Sequence, residues 1–158
     1  MEKGLTDLAK LAWESLTRAT PWPDERAVQT QAIPLDESGI HVTFINHSTF
    51  LIQVDGVTVL TDPIYSERAS PVSWAGLKRA HRPGVLFDDL PTINCILISH
   101  DHYDHYDHLD YGTLKRLADQ SDPQAMVIAG LGTDSVIHRT GFQDIHTLNW
   151  GSPSTAVA

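Results

Sequence analysis

Ile96-Leu97-Ile98-Ser99-His100-Asp101-His102-Tyr103-Asp104-His105 joins an apolar run directly to a cluster of imidazoles and carboxylates. The run from Cys95 to Ile98 has the pattern of a buried strand. In an extended backbone alternate residues point to the same side, so His100 and His102 project together. Asp104 and His105 follow at once and complete H-x-H-x-D-H, a set of nitrogen and oxygen donors suited to a borderline-soft metal ion. Four of the nine histidines fall between residues 100 and 108. Loose His-rich surface loops share that density. A strand end, alternating histidines and an adjacent Asp-His pair in combination point more specifically to a metal site. Neutral imidazole and ionised carboxylate are the ligating species, so affinity should fall as pH drops through the histidine range.

Tyr103-Asp104-His105 is repeated immediately as Tyr106-Asp107-His108. Only the register that begins at His100 completes the pattern, because the shifted copy would put Tyr103 where its first histidine belongs. The expected ligands are therefore His100, His102, Asp104 and His105. By position alone the other histidines read as structural or surface groups: His47 between two strands, and His41, His81, His138 and His146 without a partner at ligand spacing. Asp62, at a strand end before Pro63, reads on the same terms as a turn former.

The 158 residues suffice for one domain with a real core, and 41% hydrophobic with 20% charged is a soluble globular composition. A net charge of −9 argues against a nucleic-acid surface, which needs clustered Lys and Arg. Cys95 is the only cysteine, which excludes an intrachain disulfide and favours a reducing, cytoplasmic setting. The first ten residues lack the basic-then-apolar pattern of a secretion signal. No apolar run approaches the roughly 20 residues that span a bilayer.

Leu5, Leu8, Leu11, Ala12 and Leu16 recur at helical spacing, predicting a helix over 5–18 closed by Pro21 and Pro23. Trp13 and Trp22 read as packing groups. With the polar arm 24–38 this makes an N-terminal region, 1–38, ahead of a domain at 39–150 and a short tail at 151–158. From Gly39 the pattern is β: Ile40, Val42 and Phe44 alternate with His41, Thr43 and Ile45, as in a strand with one buried face. Phe50–Val54 and Val57–Leu60 flank Asp55-Gly56, a two-residue hairpin signal. Residues 64–92 read as a long loop, of the kind that is functional or mobile in compact domains. Then come a strand at Asn94–Ser99 and a short helix carrying Leu109, Leu114, Leu117 and Ala118, with Asp110 able to cap it. A strand at Ala125–Ala129, a turn at Gly130–Thr133, helical turns at Asp134–Arg139 and a strand at Ile145–Leu148 complete the order. This order implies an α+β fold, a mixed sheet with helices on one face.

Taken together these segments resemble the metallo-β-lactamase superfamily, and within it the branch of N-acyl-phosphatidylethanolamine-hydrolysing phospholipase D. The resemblance rests on Asn46-His47-Ser48-Thr49-Phe50-Leu51-Ile52, on Thr61-Asp62-Pro63-Ile64-Tyr65-Ser66-Glu67-Arg68-Ala69-Ser70-Pro71, on Leu90-Pro91 and on the metal loop. It covers about residues 35–150. Asn46 stands where the branch has glycine, and Tyr106-Asp107-His108 is extra where the branch runs straight into Leu-Asp.

The resemblance implies an αββα sandwich with two zinc ions at one edge, other divalent transition metals being alternatives. His100 and His102 would bind one metal, and Asp104 and His105 the other, with Asp104 also in the catalytic role. Asp62 would buttress the metal loop and His47 would lie near the site. The implied reaction is attack of metal-activated hydroxide on a small-molecule or lipid phosphodiester. The superfamily's remaining ligands come from the second half of the sandwich, so the chain is expected to represent the first half, with reduced or no activity alone. Its exposed apolar sheet face is expected to drive self-association. The alternatives are a sugar-phosphate lactonase and a non-catalytic metal-binding fragment.

Overall fold

The computed structural model describes residue 33 and residues 39–69, 77–78, 81–100, 109–120 and 125–151. The helix expected at 5–18, nearly all of the arm 24–38 and the tail beyond residue 151 lie outside the described residues.

The main sheet has six strands: β1 (Ile40–Asn46), β2 (Thr49–Val54), β3 (Val57–Thr61), β6 (Cys95–Ile98), β7 (Met126–Gly130) and β8 (Ile145–Leu148). They lie in the order β1-β2-β3-β6-β7-β8. The first three are antiparallel, and β3, β6, β7 and β8 run parallel. Asp55 and Gly56 close the β2–β3 hairpin with φ of +47° and +79°, the positive values a two-residue turn demands. Between β3 and β6 the chain forms a two-residue ladder, β4 (Arg68–Ala69) with β5 (Leu77–Lys78), and a 3-10 turn at Phe87–Asp89. The stretch 64–92 is therefore less structureless than its prolines suggest. Phe87 anchors its return, edge-on to Tyr65 at 5.2 Å and beneath the Arg116 guanidinium at 3.7 Å. The helices are α1 (Tyr111–Gln120), between β6 and β7, and α2 (Asp134–His138), between β7 and β8.

Register explains the core. Leu51, Leu60, Ile96 and Val127 pair in a row across four strands, and all are fully buried. Leu114 and Leu117 of α1 and Ile137 of α2 join the same cluster, so both helices cover one face. The apolar alternation in β1 misleads about which side is inside. Thr43 and Ile45 face the core, whereas Ile40, Val42 and Phe44 are 72%, 60% and 54% exposed. Both sides of this strand carry apolar residues, and only the helix-covered side is buried. The same side is apolar along the row Val42, Ile52, Val59, Cys95 and Met126, exposed at Val42, partly covered further along and buried at Cys95. Among the described residues no helix is long and apolar enough to cross a membrane.

The two faces should respond differently to substitution. Ile96→Ala is expected to cost about 2–5 kcal/mol in urea denaturation, and Val42→Thr to stay within about 0.5 kcal/mol. Equal losses would contradict this assignment of the core.

Candidate metal centre

Strands β1, β3, β6, β7 and β8 all end at one edge of the sheet, because β1 and β3 share the direction of the parallel set. In open sheets with parallel strands this edge is the usual binding crevice. His47 in the β1–β2 turn, Asp62 after β3 and His100 after β6 all fall there. His102, Asp104 and His105 lie outside the described residues. Among the described residues no three His, Cys, Asp or Glu side chains gather as a metal-holding group.

Asp62 is buried and adopts φ +35°, a left-handed conformation that aspartate tolerates better than most residues. Its Oδ1 accepts the backbone N–H of Ser99 at 2.8 Å, and its own N–H donates to the Leu97 carbonyl at 2.8 Å. The carbonyl of Asp62 accepts the Thr49 hydroxyl at 2.7 Å, and the same hydroxyl oxygen accepts the Ile64 N–H at 3.2 Å. One carboxylate thus fixes where β6 stops and where the His100 segment starts. The Ser99 hydroxyl lies 2.8 Å from His100 Nδ1. A partner on Nδ1 orients the ring, and where Nδ1–H is the donor the other nitrogen, Nε2, is left able to ligate a metal. His47 is exposed at φ +43°, and the Asn46 amide beside it donates to the Ile64 carbonyl at 3.1 Å.

Asp110 lies at the start of the next described segment after His100. Its Oδ1 accepts the Thr113 N–H at 3.0 Å, the expected cap of α1. Its Oδ2 also accepts the Thr113 hydroxyl at 2.6 Å and the backbone N–H groups of Tyr65 and Ser66 at 3.1 and 2.8 Å. The Ser66 hydroxyl donates to Oδ1 at 2.7 Å. Burial pushes the Asp110 carboxyl up, but the hydrogen bonds from Thr113 and Ser66 outweigh it and hold the group below its ordinary value. The sequence reading saw only a cap. An aspartate three residues before a threonine signals capping, and nothing local signals a partner more than forty residues upstream.

Beside these anchors the strand edge opens into a depression of about 790 Å³. Asp62 and Ser99 line one part of it, and Ile128, Leu131, Leu148 and Trp150 line another. Trp150 is 99% exposed at its rim.

A family model described as a beta-lactamase superfamily domain matches residues 41–155. N-acyl-phosphatidylethanolamine-hydrolyzing phospholipase D 1 of Caenorhabditis elegans is 33% identical over 168 residues, covering 98% of this chain and 46% of that protein. An uncharacterised protein of Mycobacterium tuberculosis is 36% identical over 122 residues, covering 77% of this chain and 29% of that protein. The chain therefore spans less than half the length of these relatives. An isothiocyanate hydrolase from Delia radicum gut bacteria superposes with a TM-score of 0.50 at 23% identity, over 68% of this chain and 40% of that one. This last likeness concerns the fold alone.

Two outcomes are expected of the anchors. Asp62→Ala loses the Ser99 bond and places alanine at positive φ, and should cost about 2–4 kcal/mol in thermal or urea unfolding. Asp62→Asn keeps an acceptor and should cost clearly less. For Asp110, a lowered native pKa means that its stabilisation is fully present above the ordinary value of about 3.9 and is lost as pH falls below it. Asp110→Asn should therefore flatten the acid side of the stability–pH curve while leaving the slope above about pH 5 unchanged.

Proposed function

The chain belongs to the beta-lactamase superfamily, and from that premise we propose that it carries the first ligands of the zinc centre of a phosphodiester hydrolase. His100, His102, Asp104 and His105 are the proposed ligands, with Asp104 also in the catalytic role. The observation that carries the reading is the end of β6: a buried carboxylate fixes Ser99, and the next residue is a histidine already held through Nδ1. An imidazole held this way meets a metal with little further ordering. That contact and the nitrogen–oxygen donor set of the sequence suit zinc, and iron or manganese are the nearest alternatives.

When bound, zinc polarises the attacked oxygen and makes water a stronger acid. The protein's own part is to orient and to bind. Asp62 fixes the residue before His100, and His47, at the same edge of the sheet, faces the approach of substrate. The lining from Ile128 to Trp150 offers apolar surface to a substrate on one side of the depression. The phosphodiester class is favoured because the C. elegans relative is named for hydrolysing N-acyl-phosphatidylethanolamine. Four ligands shared between two zinc ions leave each with two, where catalytic zinc keeps three. Turnover therefore requires further ligands beyond these four. A cytoplasmic setting agrees with the single, buried Cys95.

We also infer self-association. The open sheet face, with Val42 and Phe44 more than half exposed, is apolar enough for a second copy to cover it.

Zinc analysis combined with hydrolysis of a phosphodiester and of a lactone tests the catalytic reading. Bound zinc that disappears in His100→Ala/His102→Ala is expected, with turnover of the phosphodiester over the lactone wherever activity is found. A preference for the lactone would move the assignment to a sugar-phosphate lactonase. Zinc binding without turnover in a longer polypeptide that has all its ligands would leave only a metal-binding role. In sedimentation velocity the chain should self-associate, and Val42→Lys/Phe44→Lys should shift it to monomer. A wild-type monomer at every concentration would contradict the association.

A further inference from the structure

Charge is distributed unevenly along this chain. Residues 68–82 hold four of its eleven Lys and Arg residues and none of its twenty Asp and Glu residues. The stretch leaves the sheet after β3 and returns before β6, and both of its bases are pinned at the edge where His47, Asp62 and His100 arrive. On the outgoing side the Ile64 carbonyl accepts the Asn46 amide at 3.1 Å, and the Ser66 N–H donates to Asp110 Oδ2 at 2.8 Å. On the returning side the Gly84 N–H donates to the Ile45 carbonyl, beside the end of β1, at 2.7 Å. A Cβ on Gly84 would stand 3.0 Å from the Phe44 carbonyl oxygen, so glycine is what lets the return pass this close. Arg68 lies two residues past the first base, and the exposed Arg82 two residues before the second.

Arg68 and Lys78 are partners across the β4–β5 ladder. Like charges directly opposite weaken a ladder. This one is two residues long, and the nearest acid in sequence is Glu67, at its base. An anionic surface outside the protein would offset the repulsion. Farther along the same edge, Leu131 after β7 is 60% exposed, and Trp150 after β8 stands clear of the protein. Tryptophan suits the boundary between water and lipid, with its ring apolar and its N–H wet. A soluble phosphate would engage one or two of the cations and neither apolar group, whereas a surface meets contacts spread along a whole edge.

We propose that this edge of the sheet docks on an anionic phospholipid surface, with Arg68, Lys78 and Arg82 supplying charge at one end and Leu131 and Trp150 apolar contact at the other. Because the chain carries a net charge of −9, an anionic bilayer repels most of its surface, so the patch sets orientation as well as affinity. Docked this way, the depression beside Asp62 faces the lipid. The proposal goes beyond the phosphodiester reading, and its test needs neither zinc nor turnover.

The test is flotation of the whole chain with vesicles of phosphatidylcholine alone and with about one third phosphatidylglycerol, at low and high salt. The wild type should bind the anionic vesicles, bind the neutral ones at least about tenfold more weakly, and lose most of its binding at high salt. Each Lys or Arg near such a surface is worth about fivefold in affinity, so Lys78→Glu/Arg82→Glu should weaken binding at least about tenfold. Lys78→Arg/Arg82→Lys keeps the charge and should keep the affinity, which separates charge from any effect on folding. Lys115→Glu/Arg139→Glu makes the same change in net charge on the two helices and should weaken binding by less than about threefold. Trp150→Ser should weaken binding about fivefold and leave its salt dependence unchanged. Equal binding to neutral vesicles, equal weakening by the helix pair, or no binding to anionic vesicles would each overturn the proposal. Displacement from the vesicles by millimolar inorganic phosphate would also overturn it, by showing a single-anion site in place of a surface.

Discussion

The carboxylate of Asp62 holds the Ser99 amide from a backbone conformation that aspartate tolerates but does not favour. That single tie decides where β6 ends. It fixes the residue from which His100 departs. The tie is itself held in place, since the Thr49 hydroxyl binds the Asp62 carbonyl and the adjacent Ile64 amide. A left-handed aspartate costs about 1–3 kcal/mol, and three strands converge to hold this one.

The sheet beneath that edge is asymmetric. Its helix-covered face is a continuous row of buried aliphatic side chains, whereas its other face is apolar and open at β1. The parallel strands deliver their C-terminal ends to one edge, so residues far apart in sequence, His47, Asp62 and His100, arrive there together. The antiparallel hairpin contributes the platform, and the parallel half contributes β6, the strand that leads into His100.

Most of this order is legible in the sequence, for reasons that differ by element. Asp55-Gly56 announces its turn because both positions need positive φ. Ile145–Leu148 is found as expected, and the strands on either side of α1 lie within a residue or so of their expected bounds, since runs of apolar residues bounded by Gly, Asn or polar clusters leave little choice. The inward face of β1 is not legible. Its apolar residues alternate as though Ile40, Val42 and Phe44 were inside, and only the position of the helices shows that Thr43 and Ile45 are. The small ladder within 64–92 escapes notice because two-residue strands have no periodicity. Asp110 shows its cap and hides its longer reach, as hydrogen bonds between distant segments always do. Asp62 and His47 read as ordinary turn residues on their own, and only their setting within the longer resemblance marks them out.

The central claim is that the stretch following β6 grips zinc through imidazole and carboxylate. X-ray absorption at the zinc edge of the zinc-loaded chain tests it most directly. The expected spectrum has a first shell of nitrogen and oxygen near 2.0–2.1 Å with the outer-shell scattering of imidazole, and it loses imidazole intensity in His100→Ala. A sulfur shell near 2.3 Å, which would implicate Cys95, or a spectrum without imidazole scattering, would contradict the account.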